Sequence, residues 1–148
     1  MKFVLILSSS WLLAQAPVAD PQFQALKHQL EQSQFKVLLA PPPQRGAYGA
    51  LNPQTRTIWI DPLSFDLGIA VPVLVHEAVH AAQTCKGKGK GNIAPLGLTL
   101  EPLVYAQPFW LRYGDIHRKD LEREAFTVQT QENRLDLVSG LLRQYCTK

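Results

Sequence analysis

Read from its N-terminal third onward, the chain alternates between stretches with helical spacing and stretches with strand spacing. Phe23, Leu26 and Leu30 recur every three or four residues, with Phe35 just beyond, so residues 21–34 are expected to form an amphipathic helix. Asp20 is placed to cap it, and Pro21 occupies a first helical position, where its missing N–H costs nothing. Lys36 to Ala40 is a short apolar run that suits a strand, and Pro41-Pro42-Pro43 then forces an extended connector. Tyr48–Leu51, Asn52-Pro53-Gln54-Thr55 and Arg56–Ile60 read as strand, turn and strand, ended by Asp61-Pro62. Pro72 fits the first turn of a helix running to about Cys85, and Lys86-Gly87 stops it. Residues 86–92, KGKGKGN, form a flexible basic loop. Pro95 to Gly114 is apolar and aromatic but broken by Pro102 and Pro108, as one or two short helices would be. From Asp115, Leu121, Ala125, Val128, Leu135, Val138 and Leu142 keep helical spacing, with Asn133 and Gly140 leaving open one helix or two. The expected class is α+β: a small antiparallel sheet packed on the central helix, followed by a helical C-terminal part.

Composition narrows the setting. At 148 residues, 46% hydrophobic and 18% charged, the chain has the make-up of one folded domain, and no internal repeat suggests a second. A formal charge of +3, scattered apart from the lysine-glycine run, gives no basic face of the kind that binds nucleic acid. MKFVLILSSSWLLAQA has the parts of an export signal: Lys2, an apolar stretch from Phe3 to Leu13, and Ala14-Gln15-Ala16 at the cleavage end. The apolar stretch is shorter than the ~20 residues that span a bilayer, so no membrane span is expected after its removal. Pro17 leaves the cut position open, and a retained anchor or a buried first helix is the alternative. The expected division is a signal over 1–16 and a single domain over 17–148, secreted or periplasmic. Export would make a Cys85–Cys146 disulfide the single possible pairing; otherwise both remain thiols, without the Cys-x-x-Cys spacing of a zinc site.

The candidate chemistry lies inside the most apolar helix. VPVLVHEAVHAAQTC, residues 71–85, carries His76, Glu77 and His80 in an otherwise greasy run. Positions four apart lie on one helix face, so both imidazoles can direct a nitrogen at one metal ion. Glu77 is rotated about 100° from His76 and can instead reach a water held by that ion. Neutral imidazole suits Zn²⁺, and two histidines need a third protein ligand before water completes a tetrahedral site. The ion would bring the water's pKa towards about 7, and Glu77 would take its proton and pass it to a leaving amine. Burying three such groups without compensation costs several kcal/mol, which a metal site removes.

For the third ligand, the metzincin continuation His-x-x-Gly-x-x-His is closed, because Gln83 and Lys86 stand at those positions. A glutamate from a later helix is the other solution, and DLEREAFTVQ, residues 120–129, offers Glu122 and Glu124, about 200° apart on a helix. Glu124 shares a face with Leu121 and Val128. Asp115 and Asp120 are remote alternatives.

With His76-Glu77-x-x-His80, the preceding RTIWID and Glu122-x-x-Ala125, residues 46–130 resemble the gluzincin metallopeptidases, in particular the very small minigluzincins. The resemblance implies a zincin-like fold, Glu122 as third zinc ligand, and a strand edge before the active-site helix that receives the substrate as an added strand. Residues Arg56–Ile60 would supply that edge. Phe126 departs from the pattern, since many relatives carry aspartate after the alanine. The expectation is a zinc-dependent peptidase acting on a peptide or protein substrate, with metal ligands His76, His80 and Glu122 and Glu77 as general base. A zinc-binding module without turnover is the alternative. Tyr105, Arg112, Tyr113 and His117 are candidate oxyanion donors. Trp59 is a candidate cleft residue, and His28 reads as a helix-surface residue.

Overall fold

The computed structural model describes residues 20–88, 91–100 and 116–147, with the side chains of 116–118 left aside. The expected signal over 1–16 therefore lies outside the described residues, as do Tyr105, Arg112, Tyr113 and Asp115. Helix α1 spans Pro21–Gln32, and Asp20 accepts the Gln22 N–H at 2.8 Å as its cap. Its buried stripe is Phe23, Leu26 and Leu30, the residues that the periodicity selects. The chain leaves α1 through Gln34 in the left-handed region, φ 66°. It then enters β1, Lys36–Leu39. Strands β2, Gly49–Asn52, and β3, Thr57–Ile60, follow as a hairpin. Asn52 makes the turn: its side-chain oxygen accepts the N–H of Gln54 at 2.9 Å and of Thr55 at 3.1 Å.

The sheet is mixed, which corrects the antiparallel expectation. Its order is β1-β3-β2, with β2 antiparallel to β3 and β1 parallel to it. Local turn chemistry specifies the hairpin, but no local signal specifies β1, whose chain crosses from the far edge through the proline connector. A second correction follows. Because β3 is bonded on both sides, Arg56–Ile60 cannot accept an added strand; among the described residues, the edge beside the site without a strand partner belongs to β2. Ile58 and Ile60 point from β3 into the core, while Trp59 points the other way.

Asp61 accepts the Leu63 N–H and opens a one-turn helix, α2, Leu63–Asp66, which the sequence reading did not anticipate. Helix α3, Ala70–Lys86, is the centre of the molecule. Ala70, Val71, Leu74, Val75, Ala78, Val79, Ala81 and Ala82 are all buried, so it is apolar nearly all round and packed on every side. Residues 92–100 run without regular structure, so the reading of short helices from Pro95 does not hold as far as Leu100; the rest of that span is outside the described residues. The C-terminal pattern resolves into two helices, α4, Ile116–Thr130, and α5, Arg134–Cys146. The break is at Asn133, whereas Gly140 sits inside α5 without interrupting it. A Cys85–Cys146 disulfide, Cα–Cα 5.2 Å, joins the ends of α3 and α5. Among the described residues there are thus five helices and one three-stranded mixed sheet, an α+β arrangement. No described helix is long and apolar enough to cross a membrane.

Candidate metal centre

Helix α3 presents His76 and His80 one turn apart, and α4 crosses it so that Glu122 faces both rings. The Nε2 atoms of the two histidines are 3.1 Å apart. Glu122 Oε2 lies 3.1 Å from His76 Nε2, and Glu122 Oε1 lies 3.4 Å from His80 Nε2. One ligand atom from each residue falls within 4.8 Å of the others, a cluster that can hold a metal ion. The separations match the donor set of such an ion. Bond lengths of ~2.0–2.1 Å in a tetrahedron place adjacent ligand atoms ~3.3 Å apart.

The other ring nitrogens are also engaged. His80 Nδ1 lies 2.7 Å from Gln83 Oε1, and His76 Nδ1 lies 3.0 Å from Gln129 Oε1. An amide oxygen only accepts, so each Nδ1 carries a hydrogen and each neutral ring then has its lone pair on Nε2. Two lone pairs and a carboxylate converge on one point, and such a set needs a shared proton or a cation among them.

Without a metal the proton serves. Burial alone would lower the His80 pKa, but the hydrogen bond to Glu122 and the charges of Glu77 and Glu122 outweigh it and raise it to about 9. Burial by itself would raise Glu122, yet hydrogen bonds from His76 and His80 hold it well below the usual carboxylate range. For Glu77 burial prevails and the pKa is raised, against the opposing pull of both histidines. The raised His80 contributes stability to the metal-free fold below about 6.5, and that contribution fades as pH rises through about 9. The lowered Glu122 contributes above about 4.5 and loses its effect in acid. Glu77, its pKa raised, contributes stability while protonated and loses it as pH rises above about 4.5. The metal-free protein is therefore expected, as far as this cluster decides, to be most stable in a window at about pH 4.5 and to lose stability towards pH 9. Urea titrations of chelator-treated protein across pH 4–9 would reveal that window; stability still climbing from pH 6.5 to 9 would contradict it.

Glu77 is 6% exposed and, with His76, His80, Glu122 and Leu121, lines a cleft of about 640 Å³. Opposite them the cleft is bounded by Ala47, Gly49, Ala50, Leu51, Asn52 and Trp59. Consecutive residues of β2 border it, as a strand edge does and a single strand face does not. Trp59 is thus a cleft residue, not a core one. Gly49 permits the close approach of β2 to α3. A Cβ there would lie 2.7 Å from Val73 Cγ1 and 2.8 Å from Glu77 Oε1. Gly49→Ala is expected to destabilise the fold by about 1–3 kcal/mol through overpacking, measured by chemical denaturation.

Glu124 has a different place. It is buried, and its carboxylate accepts Gln83 Nε2–H at 2.8 Å and the backbone N–H groups of Leu96, Gly97 and Leu98 at 2.8, 2.6 and 3.3 Å. The structure therefore brings Glu122, not Glu124, to the histidines. Asp120 is exposed and outside the cluster, and His28 is an exposed residue of α1. The side chain of His117 is outside the described ones. Sequence reasoning missed Gln83 and Gln129 as partners of the rings. Their spacings carried a signal: Gln83 is three residues beyond His80, and Gln129 is two helical turns beyond Glu122. Comparison of the chain with models of known protein families, with curated proteins and with solved structures gave no match.

Proposed function

We propose that the protein is a zinc-dependent peptidase of the gluzincin type, exported to an oxidising compartment. The observation that carries this reading is the convergence of His76 Nε2, His80 Nε2 and a Glu122 carboxylate oxygen, with both Nδ1 atoms turned to glutamine oxygens. His76, His80 and Glu122 would hold the ion. A bound Zn²⁺ would acidify a water and polarise a substrate carbonyl.

The remaining work falls to the chain itself. Glu77 is a buried carboxylate with a raised pKa in the wall of the same cleft, which suits a group that accepts a proton at neutral pH and returns it to the departing amine. Among the described residues the outer edge of β2 has no strand partner along the cleft, which suits an extended peptide adding to it as a strand. The Cys85–Cys146 disulfide supports export, since such bonds persist in oxidising compartments.

Zinc analysis of the purified protein, combined with digestion of a broad peptide library, tests the proposal. Stoichiometric zinc with cleavage supports a peptidase; zinc without cleavage leaves a binding module; absence of zinc from His80→Ala and wild type alike ends the metal assignment. Metal uptake should also release a proton. The cluster holds one near neutral pH, because the His80 pKa is about 9, and the ion must displace it. Calorimetry at pH 7.5 in buffers of different ionisation enthalpy should report about one proton released per Zn²⁺, with affinity rising about tenfold per pH unit below 9. Affinity independent of pH would contradict this.

A further inference from the structure

We infer that Gln83 and Gln129 are the positioning residues of the metal centre, each fixing one histidine in the Nδ1–H tautomer so that both Nε2 lone pairs face the same point. The inference rests on the proposed metal-binding role of His76, His80 and Glu122, and adds what sets the direction of their rings.

The case is clearest for Gln83. Its side chain is fully buried, and its amide nitrogen has two acceptors, the Leu121 carbonyl at 3.0 Å and Glu124 Oε2 at 2.8 Å. Both of its N–H groups are thereby committed, and a flipped amide would set its oxygen against two other oxygens. Only Oε1 is left for His80, and it lies 2.7 Å from Nδ1. An acceptor there requires a hydrogen on Nδ1, which fixes the lone pair of the neutral ring on Nε2.

Glu124 in turn cannot drift. Its two oxygens take three backbone N–H groups from Leu96–Leu98 besides the Gln83 amide. The line from the 96–98 segment through Glu124 and Gln83 to His80 is thus a chain of satisfied hydrogen bonds in a buried place, where each omission is costly. It also gives Glu124, the rejected ligand, a role one step removed from the metal.

Gln129 is the counterpart on the other ring. It projects from α4, the helix that carries Glu122, and its Oε1 lies 3.0 Å from His76 Nδ1. Phe126, one turn before it, packs edge-on against the His76 ring with centroids 4.6 Å apart, leaving the ring little freedom to rotate. Both outer partners are neutral amides. They orient the imidazoles without adding the negative charge that a carboxylate partner would bring.

The test measures Zn²⁺ affinity of the full-length protein by competition with a chromophoric chelator, beside the melting temperature of the metal-free forms. Gln129 is only partly buried, so Gln129→Met is the informative variant. It is expected to bind Zn²⁺ about 10–100-fold more weakly while its metal-free melting temperature stays close to wild type. Gln129→Glu, which keeps the acceptor and adds charge, should restore wild-type affinity or exceed it. Gln83→Met should weaken binding in the same way, and if it does not fold the Gln129 pair carries the test alone.

A second reading comes from NMR of the zinc-loaded protein. Two slowly exchanging imidazole Nδ1–H protons are expected in wild type, and one in Gln129→Met. Wild type that binds Zn²⁺ with Gln129→Met within about twofold of it would overturn the positioning role and leave the metal centre standing. Wild type that binds no Zn²⁺ would overturn the metal centre, and the positioning role with it.

Discussion

Glu77→Gln is expected to lower peptide hydrolysis by about 10²–10⁴-fold while leaving zinc content unchanged. The amide has nearly the volume of the carboxylate, so the close packing of Gly49 against the Glu77 side chain is preserved and the fold should survive. What the amide lacks is the capacity to take a proton. His80→Ala, by contrast, removes one of the two rings and should lose the metal along with the activity. The pair separates proton transfer from metal binding, with atomic zinc analysis and a peptide-cleavage rate measured on the same preparations. A Glu77→Gln protein that cleaves at the wild-type rate would remove Glu77 from the reaction. One that loses zinc as well would show the residue to be part of the metal's support.

The second large effect concerns the disulfide. Cys85 and Cys146 are 61 residues apart, and closing a loop of that length stabilises a fold by about 4 kcal/mol in the chain-entropy estimate. Replacing both cysteines by serine should lower the melting temperature on the order of 10–20 °C. The loop contains all of α4, and so Glu122 and Gln129, while the histidines lie on α3 just before Cys85. The link ties α5 to the end of α3, and so limits how far the chain that carries α4 between them can move from the histidine helix. A loss under about 1 kcal/mol would mean that the packing of α5 on α3 alone sets that geometry.

The two histidines and Glu77 were legible in the sequence because a helix converts spacing into direction, and α3 is long, apolar and uninterrupted. The third partner was legible only as a choice between Glu122 and Glu124. Those residues sit on different faces of α4, and which face meets α3 depends on a helix-helix contact that no local pattern encodes. Phe126 marked a departure whose meaning needed the structure: the residue packs on the His76 ring and Gln129, a turn later, bonds it. The hairpin was readable from Asn52 and its turn, but the parallel partnership of β1 with β3 was not, because it joins segments separated by the whole of β2. That miss had a functional cost, since it assigned the substrate edge to a strand already bonded on both sides.

The order of strands gives the sheet two unlike margins. Along one runs β1, opened by Lys36, a residue that discourages a foreign strand from docking, with three prolines beyond Ala40. Along the other runs Gly49-Ala50-Leu51-Asn52, uncharged, with Pro53 in the turn directly after it. On the proposed reading, an extended guest backbone would meet a lysine along the β1 margin and no charged side chain along the β2 margin beside Glu77, so the asymmetry of the sheet would favour one side for a guest chain.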